Sequence, residues 1–339
     1  MRTLHHFLYT VLTLLFIQAL CLQLSAQEIS LQFDGDRQFK IAQFTDTHFY
    51  TGGEKSPEVI ENIKAVLEAE HPDLVILTGD IVSGNGENWP TLESWEVLTN
   101  LFIEKQLPYA VAFGNHDDEA QVSRQELLEY LSKRPYCLIS DEGGAKVAGT
   151  GNYTLPLYNH QGEPEKLIYC MDSRSYSLAG DKGIDGYGWF DRSQVDWFIG
   201  TNEAWLELNQ EIQSLLFFHI PLPEYRQAYD QGEFRIGKRK EKECSPEINT
   251  GMFAEIALQG NVLGCFVGHD HNNNYAAQLF NIALCYGYFS GGNSYGRLPQ
   301  NGARIIELEE GSRTFTSWLR RRDGKVLYKH KFPVSTKGN

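Results

Sequence analysis

The chain has 339 residues, with 44 acidic and 30 basic side chains and a formal net charge of −14. A hydrophobic content of 42% with 12% aromatics is enough for a full core and excludes a wholly disordered chain. The acidic balance argues against a dedicated nucleic-acid or anionic-membrane binder, but a local site can reverse the global sign and take a small phosphorylated substrate.

Residues 1–26 have the layout of a secretory leader: Arg2 at the start, an apolar stretch over 7–17, and Leu24-Ser25-Ala26 as a cleavage site before Gln27. Gln18 and Gln23 interrupt the apolar run, which falls short of the roughly 20 residues of a membrane span. A cleaved leader is therefore expected rather than an anchor. The product would be secreted or periplasmic, with residues 27–339 as a single domain and no transmembrane segment. Cleavage removes Arg2 and no acid, which takes the charge from −14 to −15; it also removes His5, His6 and Cys21. The remaining cysteines are odd in number and irregularly spaced, so they are not a disulfide framework, and without a CxxC they are not a zinc site. Cys170, Cys265 and Cys285 lie in apolar runs and are expected as buried thiols; Cys137 and Cys244 are the two that could pair.

Apolar runs over 39–44, 74–77, 109–113, 215–218 and 263–267 read as strands buried on both faces. Helical patterns lie between them. Ser56 is expected as the N-cap of a helix with Pro57 at its first position. Ser123 and Glu126 form a capping box ahead of Leu127, Leu128 and Leu131. A helix over 193–208 carries Val195, Trp197, Phe198 and Trp205, and a shorter one over 252–258 is closed by Gly260. Strand–helix alternation predicts an α/β fold. From Ala303 onward strands alone are predicted, over 305–308, 314–319 and 326–332, with turns at Gly311 and Gly324. Residues 84–91 are rich in Gly, Asn and Pro. The 231–245 stretch holds Arg235, Lys238, Arg239, Lys240 and Lys242, as a phosphate-attracting lid or a solvated loop.

Each of the five buried strands finishes on Asp, Asn or His. The blocks are Asp46-Thr47-His48, Gly79-Asp80, Gly114-Asn115-His116, His219, and Gly268-His269-Asp270-His271. In open α/β sheets ligands bind at the carboxyl ends of strands. A single strand-end Asp is a turn or cap; five such ends in succession are not turn chemistry. Imidazole, carboxylate and amide oxygen form the ligand set of divalent first-row metals. His71, His160 and His330 fall outside these blocks.

The blocks, in this order, resemble the calcineurin-like metallophosphoesterase superfamily, whose pattern is D-x-H, G-D, G-N-H-[DE], a lone H and G-H-x-H. The stretches at 219–225, 244–247 and 268–273 further resemble its purple-acid-phosphatase-like branch. The resemblance implies a four-layer α/β/β/α sandwich of two mixed sheets, with the C-terminal strands completing one. It implies two divalent metal ions, Mn, Fe or Zn. Asp46, His48 and His271 would hold the first, Asn115, His219 and His269 the second, and Asp80 both. A hydroxide bridging the pair would attack phosphorus in line with the leaving oxygen. His116 would protonate the leaving group or stabilise charge, with Asp117 orienting it.

Two departures narrow the branch. Purple acid phosphatases carry a tyrosine three residues after the bridging Asp; Ser83 stands there, so a colourless protein is expected. Ser/Thr protein phosphatases carry Asp-Arg-Gly after the second block, and no arginine follows it here. Substrate contacts are expected among Arg174, Tyr187, Asp117 and Asn272. Arg174 is read either as a fork for phosphate or as a surface ion pair. Tyr187 and Trp189 either stack on an aromatic leaving group or pack in the core. The leading reading is a phosphomonoesterase acting on a small phosphorylated substrate. Its rivals are a phosphodiesterase and a non-catalytic scaffold of the same fold.

Overall fold

The fold is known from a computed structural model that describes residues 29–83, 90–120, 122–296 and 300–334. The expected leader and most of the 84–91 stretch lie outside these residues. In chain order the first half contains β1 (Leu31–Gln32), β2 (Gln38–Phe44), α1 (Ser56–Glu70), β3 (Leu74–Thr78), α2 (Thr91–Ile103), β4 (Tyr109–Ala112) and α3 (Arg124–Leu131). There follow β5 (Tyr153–Tyr158), β6 (Pro164–Cys170), α4 (Arg192–Leu208), β7 (Gln213–Phe217), α5 (Glu224–Gln231), β8 (Phe234–Ile236) and α6 (Met252–Gln259). The last part is strands alone: β9 (Val262–Val267), β10 (Ala276–Leu279), β11 (Ile282–Tyr286), β12 (Gly302–Glu309), β13 (Phe315–Arg321) and β14 (Val326–Phe332).

A six-stranded sheet has the order β14-β13-β12-β2-β3-β4, and an eight-stranded sheet the order β1-β5-β6-β7-β9-β11-β10-β8. Both are mixed. In the first, β2, β3 and β4 are parallel, and the antiparallel C-terminal strands complete it beside β2, as predicted. In the second, β6, β7, β9 and β11 form a parallel centre between antiparallel neighbours.

Side-chain alternation separates the layers. On β6 and β7, Leu167, Tyr169 and Leu216 pack with Val195, Phe198, Tyr225 and Ile256 of α4, α5 and α6. Ile168, Cys170, Leu215 and Phe217 face the other way, into the core shared with the six-stranded sheet. The rings of Phe266 on β9 and Phe315 on β13 meet across the sheets, with centroids 5.6 Å apart. Arg304 of β12 is fully buried between them and donates to the carbonyls of Tyr286 and Asn274 and to Ser317 Oγ. Its charge is distributed over three fixed acceptors, as burial requires. On the far side, α1 lies against β2, β12 and β13. The layers are α/β/β/α.

Local expectations fared unevenly. The capping box at Ser123 is present. Ser56 is inside α1 rather than its cap: Lys55 takes that position without a side-chain bond, and Ser56 Oγ donates to the Tyr50 carbonyl. Helix α4 begins at Arg192 under a capping box from Asp191. Cys137 and Cys244 are both free thiols. Cys137 pairs by its backbone with Tyr109 of the six-stranded sheet, whereas Cys244 donates its N–H to Asp270 in a loop of the other, so they do not meet. Among the remaining histidines, His71 is the left-handed C-cap of α1, His160 pairs with Glu310 and His330 stacks on Phe234.

Candidate metal centre

The five predicted blocks come from both sheets, at the carboxyl ends of parallel strands β2, β3 and β4 in one and β7 and β9 in the other. Backbone bonds stitch the loops together: Asp46 N–H to the Gly79 carbonyl, His48 N–H to that of Asp80, and Gly268 N–H to that of His219, each at 3.0 Å. The turns are sharp enough to force positive φ on side-chain-bearing residues: 54° at Asp46, 43° at His48, 52° at Asp80 and 75° at His269. Each such residue costs about 1–3 kcal/mol and persists only where its surroundings over-determine it. Gly114 and Gly268 are required by close approach. A Cβ on Gly114 would collide with Asp80, and one on Gly268 with Thr45 and Asp46.

The donors fall into two groups that could each hold a cation: Asp46, His48 and His271, and Asp80, His219 and His269. All are buried. In the first, Nε2 of His271 lies 3.4 Å from Asp46 Oδ1 and 3.2 Å from His48 Nε2. In the second, Nε2 of His219 lies 3.1 Å from Asp80 Oδ2 and 3.3 Å from His269 Nδ1. Asp80 Oδ2 is also 3.8 Å from His48 Nε2, so one carboxylate oxygen reaches both groups. Tautomers are set from behind. His219 Nδ1 donates to the Thr78 carbonyl at 2.8 Å and His271 Nδ1 to the Tyr295 carbonyl at 2.6 Å, turning each Nε2 inward.

The residues present fit divalent cations. Asn115 Oδ1 is buried with no hydrogen-bond partner, a cost that a coordinated cation removes. The electrostatics agree. Burial raises Asp46 and Asp80, but His271 beside the first and His219 beside the second hold both below the usual carboxylate range, Asp80 well below it. Burial resists charge on His219, yet Asp80 outweighs it and raises the imidazole to about 9. Burial drives His48 down to about 4 and His269 to about 3. The pocket thus keeps its carboxylates ionised and draws positive charge between them.

The other predicted residues divide. His116 is at the mouth, its ring 5.3 Å from that of His48, and its N–H donates to Asp80 Oδ1. Its Nδ1 partner is Glu119 Oε2, at 2.5 Å, not Asp117. Asp117 is fully buried, and its carboxylate accepts the N–H groups of Asp80, Ile81, Val82 and Gly114. It locks the second and third loops and neither orients His116 nor meets solvent. Asn272 is also buried, bonded to Glu241 through its N–H and its amide. Arg174, half-buried with φ 72°, lines a cavity of about 210 Å³ with Tyr176, Trp189 and Asp191 that includes none of the metal-site residues. Tyr187 is at the rim rather than in the core. Its ring meets His269 edge-on at 4.3 Å and lines a cavity of about 340 Å³ with Arg226, Lys242 and Cys244. In the basic stretch, Arg235 sits over Tyr229, and Arg239 pairs with Asp230 and Glu243, which leaves neither as a phosphate lid.

Sequence reasoning missed Glu119, Tyr176 and Tyr295. The Tyr295 ring stacks on His271 at 4.1 Å. Glu119 lies three residues after His116 in an irregular turn, and the two tyrosines come from irregular segments, so none of the three has a periodic signal.

A four-layer α/β/β/α sandwich with a buried His/Asp cluster at the strand ends defines a metallophosphoesterase-type fold. The Calcineurin-like phosphoesterase family profile matches residues 39–273, and the chain belongs to that family. It is 30% identical over 321 residues (85% of this chain, 79% of the relative) to "Probable inactive purple acid phosphatase 14" of Arabidopsis thaliana. It is 30% identical over 325 residues to "Phosphatase DCR2" of Saccharomyces cerevisiae, covering 86% of this chain and 55% of that one. Among solved structures, a dimetal phosphatase from Danio rerio superposes with a TM-score of 0.61 at 12% identity, over 88% of this chain and 99% of its own. GAP50, the anchor in the inner membrane complex of Plasmodium, superposes with a TM-score of 0.54 at 14% identity, over 88% and 90%. At these identities the superpositions speak for the fold.

Proposed function

We propose that the chain is a secreted or periplasmic dinuclear-metal phosphoesterase that hydrolyses small phosphate monoesters. The observation that carries this is the pair of buried His/Asp groups that one oxygen of Asp80 reaches together, with Asn115 Oδ1 buried and partnerless on the neighbouring loop. Asp46, His48 and His271 would hold one cation, Asn115, His219 and His269 the other, and Asp80 both. When bound, such a pair neutralises phosphoryl charge and acidifies a water; Mn, Fe and Zn all suit the mixed N/O donor set. The chain's own residues do the rest. Asp117 keeps the Asp80 and Gly114 loops in register. His116, engaged at Nδ1 by Glu119, delivers its proton from the other nitrogen to the departing oxygen. Ser83 at the purple-tyrosine position makes the protein colourless, so its visible spectrum should be flat.

The plant relative's name says inactive and the yeast relative's says phosphatase. The complete donor set together with His116 supports the active reading. The test is hydrolysis of para-nitrophenyl phosphate beside its bis ester, with Mn²⁺ and with the bound cation counted. Cleavage of the monoester is expected. Cleavage of the diester alone would make the chain a phosphodiesterase; fewer than one bound cation per chain with no cleavage would make it a scaffold.

A further inference from the structure

We infer that Tyr176 is a positioning residue that sets two groups of the site at once, the Asn115 amide and, through Glu119, the His116 imidazole. The roles of those two groups rest on the phosphoesterase reading above; the hydrogen bonds do not. Tyr176 lies between β6 and α4. Its hydroxyl accepts from Asn115 Nδ2 at 3.2 Å and donates to Glu119 Oε1 at 2.6 Å. The second oxygen of that carboxylate holds His116 Nδ1. The neighbouring Ser175 Oγ donates to the Asn115 carbonyl at 3.2 Å, a second clasp from the same segment.

The two ends of an amide are nearly the same shape, so hydrogen bonds decide which end points where. Tyr176 takes the nitrogen end of Asn115. The oxygen end is then the buried, partnerless one, the end a cation requires. An imidazole poses the same choice between its two nitrogens. Glu119 takes Nδ1 and so fixes which nitrogen carries that proton. The Tyr176 ring is held in turn by Tyr187, stacked at 5.9 Å and 25°, and Tyr187 meets His269. A single hydroxyl thus couples a metal-holding amide to a proton-delivering imidazole, from a segment outside the five motif loops.

Tyr176→Phe keeps the ring and its stacking and removes only the hydroxyl. When the cation-depleted chain is titrated calorimetrically with Mn²⁺, one of the two binding events should weaken roughly 10-fold and the other hold, the usual size of effect for a residue supporting a ligand. Glu119→Gln should bind Mn²⁺ as the wild type does. Its kcat should fall roughly 10-fold or more for glycerol phosphate, whose leaving oxygen needs a proton, and much less for para-nitrophenyl phosphate. Leu178→Ala, at an 89% exposed position on the same segment, is the control for general disturbance and should change neither readout. Wild-type Mn²⁺ affinities and kcat values in Tyr176→Phe would overturn the inference, as would equal losses in Tyr176→Phe and Leu178→Ala. If the wild type cleaves no ester while Tyr176→Phe still loses one Mn²⁺ affinity, the phosphoesterase reading fails and the Asn115 half of the inference stands. A wild type that binds no Mn²⁺ would overturn both.

Discussion

The strand-end loops and the rim above them are built by different means. Each motif loop leaves a buried strand, is pinned by backbone bonds to its neighbours and places a short side chain at its tip; Asp46, Asp80 and His219 are all essentially inaccessible to solvent. The rim is made by Tyr176, Tyr187 and Tyr295, half-buried or exposed residues of long segments that depend on the cluster for their placement. The first region is rigid because its backbone is over-determined. The second is positioned by a few side-chain contacts and can change with little effect on the fold. That contrast puts the candidate ligands on the loops and the side chains that steady them on the rim.

Substitutions should rank accordingly. Asp80→Ala strikes the carboxylate within reach of both groups, and hydrolysis should fall by far more than the roughly 10–100-fold that a supporting residue costs, with loss of bound cation by elemental analysis. Retention of two cations would show that the groups do not share Asp80. His116→Asn should lower kcat by about 10²–10⁴-fold with cation content near normal; if cation is lost as well, His116 belongs to the donor set instead. Asp117→Ala leaves four backbone N–H groups without their acceptor. Urea unfolding should report a loss of about 3 kcal/mol or more, as expected when buried donors are stranded. A loss under about 0.5 kcal/mol, the range of ordinary surface changes, would mean that the loops hold themselves. At the rim, Tyr187→Ala should raise KM for an aryl phosphate by about 3- to 10-fold, in line with an aromatic contact of 0.5–1.5 kcal/mol, and leave cation content untouched. A change in cation content would show that the edge contact of Tyr187 with His269 also holds a ligand in place.

The same contrast explains what could be read from the sequence. The strands under Asp46, Asp80, Asn115, His219 and His269 are continuous apolar runs, and the polar residue that ends each run is a local signal. The C-terminal strands and the capping box at Ser123 were legible for the same reason. Helix α5 was not: it buries only Tyr225 and Ala228, so its apolar pattern is too sparse to register. Strands β10 and β11, four and five residues long, lie in one apolar stretch with no marked periodicity. Asp117 follows His116 directly, and adjacency suggested contact; in the fold its side chain turns inward to the backbone, while Glu119, three residues on from His116 in a turn, reaches the ring. The tyrosines of the rim act on residues far along the chain, Tyr176 on Asn115 61 positions away and Tyr295 on His271 24 away, which no local pattern records.

The central claim is tested most directly by adding Mn²⁺ stepwise to the cation-depleted chain while following hydrolysis of para-nitrophenyl phosphate. The account predicts that activity appears as the second equivalent of Mn²⁺ binds. Saturation of both groups with Mn²⁺ and no release of para-nitrophenol, or full activity with both groups empty, would contradict it.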